Sequence, residues 1–337
     1  MIQKILRHLL LLTFLMLLGL GGIGYFIYQQ TLQTPIQAQN NTIIHIPKGS
    51  SVTSIARILE QDYGLKNSWV VPLYARLNGS AQKIQAGYYR LEQNITIPVL
   101  LHKMIKGEVA TFSFQLVEGK TAKALLEQLS NTPDITQTLQ NKTPEEIAKA
   151  LNINGSLEGQ FLPETYHFPY KTTDLALLKR MHQALQSALS EAWSKRSNNI
   201  ALKTPYEALI LASIIEKETA IPSEREQVSG VFNRRLQKNM RLQTDPTVLY
   251  GLSSPKQILT KKDLQTDTPY NTYTRNGLPP TPIALPSKAS IQAAVNPDNS
   301  NTLYFVANGA GGHSFSVTYQ EHQKAVQHYR NQLTKKP

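Results

Sequence analysis

The sequence predicts an α+β protein with an N-terminal transmembrane helix, a small α/β subdomain and a larger mixed α+β domain built around one buried helix. Three observations carry that expectation. Leu9 to Tyr28 is a run of twenty residues without a charge, enough to cross a ~30 Å hydrocarbon core. Two strand–Gly–helix patterns, around Gly49 and Gly119, follow it as a weak internal repeat. Farther on, Ala208 to Ile215 is apolar on nearly every helical face, the mark of a core helix. The chain has 337 residues, about two domains beyond a targeting segment. The boundaries read from composition are 1–30 for the cytoplasmic N-terminus and anchor, 31–41 for a linker, 42–108 for the small subdomain and 109–337 for the large domain.

The N-terminus carries Lys4 and Arg7, and no Asp, Glu, Lys or Arg then occurs before Lys48. Positive charge ahead of the span and none just after it puts the N-terminus in the cytoplasm and the rest outside. A cleaved signal peptide is the rival reading. It calls for an apolar core of about 7–15 residues and a small-residue cleavage site, and none follows Tyr28. There is no cysteine, which excludes disulfides, thiolate metal sites and a cysteine nucleophile. The net charge of +12 comes with no nucleic-acid motif. An anionic membrane surface or an anionic polymer is the natural partner for such a protein, and solubility alone is the bland alternative.

Taken in order, Thr31 to Asn41 is rich in Gln, Thr and Asn and reads as a linker. Thr42 to Ile46 reads as a strand, and Pro47-Lys48-Gly49 turns into a helix carrying Val52, Ile55, Ala56, Ile58 and Leu59. A helix over Ser68 to Leu77, a strand over Ala86 to Leu91 and a helix over Pro98 to Ile105 complete the small subdomain. Strand–helix–helix–strand order makes this part resemble a LysM carbohydrate-binding module. Trp69, Tyr88 and Tyr89 are candidates to stack on sugar rings, with core packing as the alternative. Thr111 to Val117 is the next strand and Thr121 to Leu129 the next helix. Glu158 to Tyr166 is a Gly- and Pro-punctuated loop in which Glu164 is either catalytic or a turn cap. Thr173 to Ser194 has helical apolar spacing. At the C-terminal end, Thr302 to Asn308 reads as a strand and Tyr319 to Gln332 as a helix. Nothing shapes His313 and Ser314 into a nucleophile triad, and no His pair has metal-ligand spacing.

The chemistry gathers at the end of the buried helix. Thr204 is a good N-cap, Pro205 fits the first helical position, and Glu207 suggests a capping box. Pro222 forbids continuation, and Ser223-Glu224-Arg225-Glu226 writes a second capping box for the next helix. Glu218 follows Ile214 and Ile215 by four and three residues and Leu211 by seven, so its own helical face is greasy. Burial and the negative end of the helix dipole both disfavour its anion. A raised pKa is what a general acid near neutrality needs. Glu216 points elsewhere, and two solvated carboxylates paired with Lys217 or Arg225 remain the alternative.

Met240 to Gly251, Pro269 to Tyr273 and Gly277 to Pro280 are polar, aromatic and Pro-broken, so they read as loops or short strands of a composition that suits a saccharide cleft. With the runs Ala212-Ser213-Ile214-Ile215-Glu216-Lys217-Glu218-Thr219, Leu242-Gln243-Thr244-Asp245-Pro246-Thr247, Tyr270-Asn271-Thr272-Tyr273 and Gly277-Leu278-Pro279-Pro280 in this order, the chain resembles the endolytic murein transglycosylase family, the MltG/YceG-like proteins. The resemblance runs from the anchor to about Tyr329. It implies a lysozyme-like active-site helix, where the catalytic Glu is followed by Ser. Here Thr219 follows Glu218, which favours Glu218 over Glu216.

The resemblance further implies a lyase that cuts the MurNAc–GlcNAc bond inside glycan strands and leaves 1,6-anhydro-MurNAc ends, terminating nascent strands. Glu218 is its expected catalytic residue, and Gln243, Asp245, Tyr270, Asn271 and Tyr273 its expected glycan-binding residues. No metal and no cofactor is expected. The implied location is the inner membrane, single-pass, with the catalytic part periplasmic; peptidoglycan synthases or division proteins are the implied partners. Two rivals stay open: a hydrolysing muramidase with Asp245 or Glu164 as second carboxylate, and a non-catalytic glycan-binding scaffold of the division machinery.

Overall fold

The computed structural model describes residues 1–39, 41–252 and 258–333. Asn40 of the expected linker and residues 334–337 at the end of the large domain lie outside that set. The chain divides into two compact units, Met1–Phe112 and Ser113–Pro337. The described architecture is mixed α+β, with three separate two-stranded sheets.

In the first unit, α1 (Ile2–Gln33) is a single long helix. Its stretch from Gln3 to Gln33 is long and apolar enough to cross a membrane. After it come β1 (Thr42–Ile46), α2 (Val52–Tyr63), α3 (Val70–Leu77), β2 (Gly87–Leu91) and α4 (Ile97–Lys106). β1 and β2 pair antiparallel, Thr42 opposite Leu91 and Ile46 opposite Gly87. Ser51 caps α2 by accepting from the Ser54 N–H, and Gly64 ends it in the left-handed region, as helix ends prefer. The helices bury Ile55, Leu59, Val71, Leu100 and Met104 against Ile44, Tyr89 and Leu91 of the strands.

The segment after the span differs from a free linker. α1 runs on to Gln33, and Leu32 and Ile36 are buried in the first unit's core. The Ile36 N–H donates to the Ile95 carbonyl at 2.8 Å. The polar composition of Thr31 to Asn41 hides two apolar residues, Leu32 at the end of α1 and Ile36 just past it, which both find the core. Of the three aromatics that were candidates for sugar stacking, Tyr89 is fully buried. Tyr88 stacks on His45 at 4.4 Å, and Trp69 is exposed.

The second unit begins within β3 (Thr111–Gln115), which pairs with β4 (Thr165–Pro169). Between them lie α5 (Ala122–Ser130) and α6 (Pro144–Ala150), and after them α7 (Asp174–Ser194) and α8 (Pro205–Glu218). A 3-10 turn, Pro222–Glu224, leads into α9 (Arg225–Gln237). Then come α10 (Asp245–Gly251), α11 (Lys261–Gln265), α12 (Lys288–Val295), the antiparallel pair β5 (Tyr304–Ala307) and β6 (His313–Ser316), and α13 (Tyr319–Leu333).

α8 is the axis of this unit. Eight consecutive residues, Ala208 to Ile215, are buried, and α7, α9, α10 and α12 all pack on it. An all-round apolar helix can be stable only if neighbours cover every face, and here they do. Thr204 accepts from the Glu207 N–H as expected. The Glu207 carboxylate bonds the Lys203 N–H at 2.5 Å, one residue before the position a capping box requires.

Gly159 lies in the loop that the sequence marked as a Gly/Pro turn. Its φ is +76°, and a Cβ there would sit 2.5 Å from Pro282 Cβ. Both the backbone region and the close approach require glycine. Gly159→Ala is therefore expected to lower stability by about 1–3 kcal/mol, read as a shift in the urea midpoint with unchanged slope.

Candidate active site

Glu218 is the last residue of α8, and Thr219 is its C-cap. Its carboxyl accepts a hydrogen bond from the Thr244 hydroxyl, so a residue 26 positions away closes over the helix end. Burial pushes the Glu218 pKa up to about 7, opposed by the Thr244 bond and by the charges of His313 and Arg235, and aided by Asp245. Glu218 still keeps part of its surface open to solvent. An acid needs both features, protonation near neutrality and access to the bond it attacks.

Thr244 is itself held on three sides. Its N–H donates to Thr272 Oγ1 at 3.1 Å, its carbonyl accepts from Thr247 Oγ1 at 2.8 Å, and Thr247 and Thr272 share a hydroxyl contact of 2.9 Å. Arg235 fixes the approach to this loop from below. Its buried guanidinium donates to the carbonyls of Leu303 at 2.7 Å and Leu242 at 2.8 Å. A guanidinium buried against carbonyls satisfies a loop backbone that would otherwise lose water without compensation.

On the other flank of Glu218, Thr219 Oγ1 donates to Glu224 Oε2 at 3.0 Å. Glu224 also accepts from the His313 backbone N–H at 2.8 Å and pairs with His313 Nδ1 at 2.7 Å. Burial works against the Glu224 anion, yet the bonds from His313 and Thr219 hold its pKa below the usual carboxylate value. This corrects the second capping box: no side chain caps α9, because the 3-10 turn Pro222–Glu224 takes in Ser223 and runs straight into the helix.

Glu216 and Glu218 are separated as helical phase demands. Glu216 Oε2 accepts from the Ser287 N–H at 2.8 Å and from its hydroxyl at 2.5 Å, and Glu216 lies 4.0 Å from Arg225. Glu216 therefore holds Ser287, the N-cap of α12, while Glu218 faces Thr244.

The expected glycan-binding residues divide. Gln243 is exposed, with φ +51°, and its N–H donates to the Thr272 carbonyl at 3.2 Å. Asp245 is exposed at the start of α10 and accepts from the Tyr273 hydroxyl at 2.6 Å. Burial first, then the bond to Asp245, pushes the Tyr273 phenol well above its ordinary pKa. Tyr270 is part-exposed, with its hydroxyl 2.8 Å from Thr281 Oγ1 and its ring edge-on to Tyr250 at 5.0 Å.

Asn271 differs from the expectation. It is fully buried, and its amide donates to the carbonyls of Leu264 at 3.1 Å and Thr266 at 2.7 Å, while its oxygen accepts from the Tyr273 N–H at 2.9 Å. It holds the loop from inside and has no face for a ligand. Glu164 is exposed and engages β3 through its backbone carbonyl, which accepts from the Leu116 N–H at 3.0 Å.

Sequence reasoning left Thr244, Thr272 and Arg235 without a role and did not foresee the pairing of Glu224 with His313. Thr244 and Thr272 stood inside the quoted motifs, so a hydroxyl beside each polar-aromatic residue was the available signal. Among the described residues no cluster of three or more His, Asp and Glu could hold a metal ion.

Raising the Glu218 pKa from 4.5 to about 7 makes its ionisation in the folded state cost about 3 kcal/mol. The folded chain binds more protons than the unfolded chain between those values, so stability falls as pH rises from about 4.5 through 7. Glu218→Gln removes that dependence. Thermal melts are expected to show the variant more stable than the parent at pH 8 and equal to it near pH 4.5.

The YceG-like family model matches residues 44–328. The endolytic murein transglycosylase of Bacillus subtilis (strain 168) is 32% identical over 91% of this chain and 90% of its own. That of Streptococcus pneumoniae serotype 2 (strain D39) is 31% identical over 95% of this chain and 64% of its own. The crystal structure of a YceG-like protein from Listeria monocytogenes superposes with a TM-score of 0.55 at 32% identity, covering 85% of this chain and 99% of that one.

Proposed function

The chain belongs to the YceG-like family, and from that premise we propose that Glu218 is its catalytic acid and base in cutting peptidoglycan strands. The activity is that of an endolytic murein transglycosylase, a lyase, in keeping with the relatives' names and identities. The observation that carries the site is the carboxyl of Glu218, buried to a pKa of about 7 at the tip of α8 and bonded to Thr244.

The protonated Glu218 gives its proton to the oxygen bridging MurNAc C1 and GlcNAc. The C1–O bond breaks with its electron pair going to that oxygen, and an oxocarbenium-like centre is left at C1. The Glu218 carboxylate then takes the proton of the same muramic sugar's 6-hydroxyl, and O6 bonds to C1 to close the 1,6-anhydro ring. Proton count is restored, and water is not consumed. The Thr244 hydroxyl stabilises the anion that exists between the two transfers. Arg235 and His313 favour the same anion. One carboxylate thus serves both directions, where a hydrolase needs two at fixed separation.

Gln243, Asp245, Tyr270 and Tyr273 hold the glycan in this reading, the tyrosines covering sugar faces and the amide and carboxylate bonding hydroxyls. Asn271 contributes by fixing the loop that carries Tyr270 and Tyr273. The end of α8 is lysozyme-like in the sense that a core helix presents its last Glu to the substrate. The first unit is LysM-like in its β1–α2–α3–β2 order. α1 anchors the chain in the inner membrane, N-terminus inside, with the chain beyond it in the periplasm. Synthases that polymerise strands, or division proteins, are the fitting partners, because cutting nascent glycan sets its length.

Mass analysis of products from uncrosslinked strands is expected to show anhydro-muramic ends for the parent chain. Glu218→Gln is expected to bind strands and release nothing. Products carrying only reducing ends would instead make the enzyme a muramidase, and a Glu218→Gln chain with full cellular function would make it a scaffold. Thr244→Val removes a bond that lowers the Glu218 pKa. Its pH–rate profile is therefore expected to keep the acid form to higher pH, with the alkaline limb displaced upward and a smaller maximal rate.

A further inference from the structure

We infer that the Trp69–Leu73–Leu77 face of α3 is seated in the headgroup layer of the bilayer that α1 spans. These residues are 47%, 38% and 69% exposed and recur every fourth position, so they form one stripe along a helix. The opposite side of the helix is fully engaged, with Val70, Val71 and Ala75 buried in the first unit's core. An exposed apolar stripe of this kind marks an interaction surface.

Its height relative to the membrane follows from α1. The apolar run ends at Tyr28, where Gln29 and Gln30 follow, and α1 continues unbroken to Gln33. Asn67, just before α3, reaches Thr31 with its amide at 3.4 Å. Thr31 is three residues past Tyr28, about 4.5 Å farther along the helix axis. The headgroup layer is about 5–7 Å deep on each side. Asn67 is therefore level with that layer, and Trp69 is two residues on. Farther along α3, Tyr74 stands beside Tyr28, both packed on the same core. Asn67 abreast of Thr31 and Tyr74 abreast of Tyr28 mean that α3 runs back toward the hydrocarbon. Leu73 is next to Tyr74, and Leu77 is nearest the lipid.

The composition fits that depth. Tryptophan concentrates at membrane interfaces. Lys66 and Arg76 are exposed at the two ends of the stripe, where their charges can meet anionic headgroups. A polar cavity of about 280 Å³ lined by Thr31, Thr34, Lys66 and Asn67 opens at the same height. The partner is the lipid surface itself, held by α3 in addition to the span. This rests on α1 being a membrane helix.

The chain has two tryptophans, Trp69 and Trp193, so Trp193→Phe leaves Trp69 as the only reporter. The full-length variant is reconstituted into vesicles of phosphatidylethanolamine and phosphatidylglycerol carrying a spin label near the headgroups or at the bilayer centre. The expected result is blue-shifted Trp69 emission, quenched strongly by the shallow label and weakly by the central one. Leu73→Glu with Leu77→Glu in the same background is expected to abolish the quenching. Vesicle flotation separates the premises: a chain that fails to float overturns the anchor and the inference together. A chain that floats with water-like, unquenched Trp69 emission overturns the inference alone. Emission that answers to added glycan strands and not to the lipid label overturns it in favour of a saccharide face.

Discussion

The candidate site of the second unit turns on one contact, the hydroxyl of Thr244 against the carboxyl of Glu218. It joins the least polar element of the unit to its most polar loop. α8 supplies the burial that holds a proton on the acid, and the loop supplies the single donor that tolerates the anion. Neither alone gives a group able to work in both protonation states. The hydroxyl contact between Thr247 and Thr272 and the Arg235 bonds to the loop's backbone keep that donor in place. The threonines thus form a hydroxyl cluster where a longer amide or charged side chain would change the balance between acid and anion.

What was legible in the sequence was whatever depends on local order. Ala208 to Ile215 spells a core helix in its own residues, and the position of Glu218 on it follows from helical phase. The apolar span before Tyr28, the cap at Thr204 and the two strands of the first unit are of the same kind. What was not legible depends on contacts across the fold. His313 meets Glu224 from 89 positions away, and Ser213 Oγ reaches the Ile283 N–H across 70. Ser-Glu-Arg-Glu satisfied a capping rule on paper, but a 3-10 turn takes in Ser223 and leads straight into α9, while Glu224 meets His313 of β6.

Asn271 and the segment after the span show a second reason. A motif tells which residues travel together without telling which of them faces outward. Asn271 sits beside two part-exposed tyrosines, yet four backbone groups engage its side-chain amide inside the loop. Leu32 and Ile36 sit among glutamines and threonines and are still core. In both cases composition averaged over several residues concealed the one side chain that the interior needed.

Glu216 has a consequence for aim. Its two bonds to Ser287 act as a key in a slot that stops α8 from turning about its long axis. Side-chain tips lie about 5–6 Å from such an axis, so a twist of about 10° would carry the Glu218 oxygens about 1 Å sideways. Misplacement on that scale can slow an enzyme by about a hundredfold. A serine on the far side of the helix therefore fixes the aim of the carboxyl proposed to act.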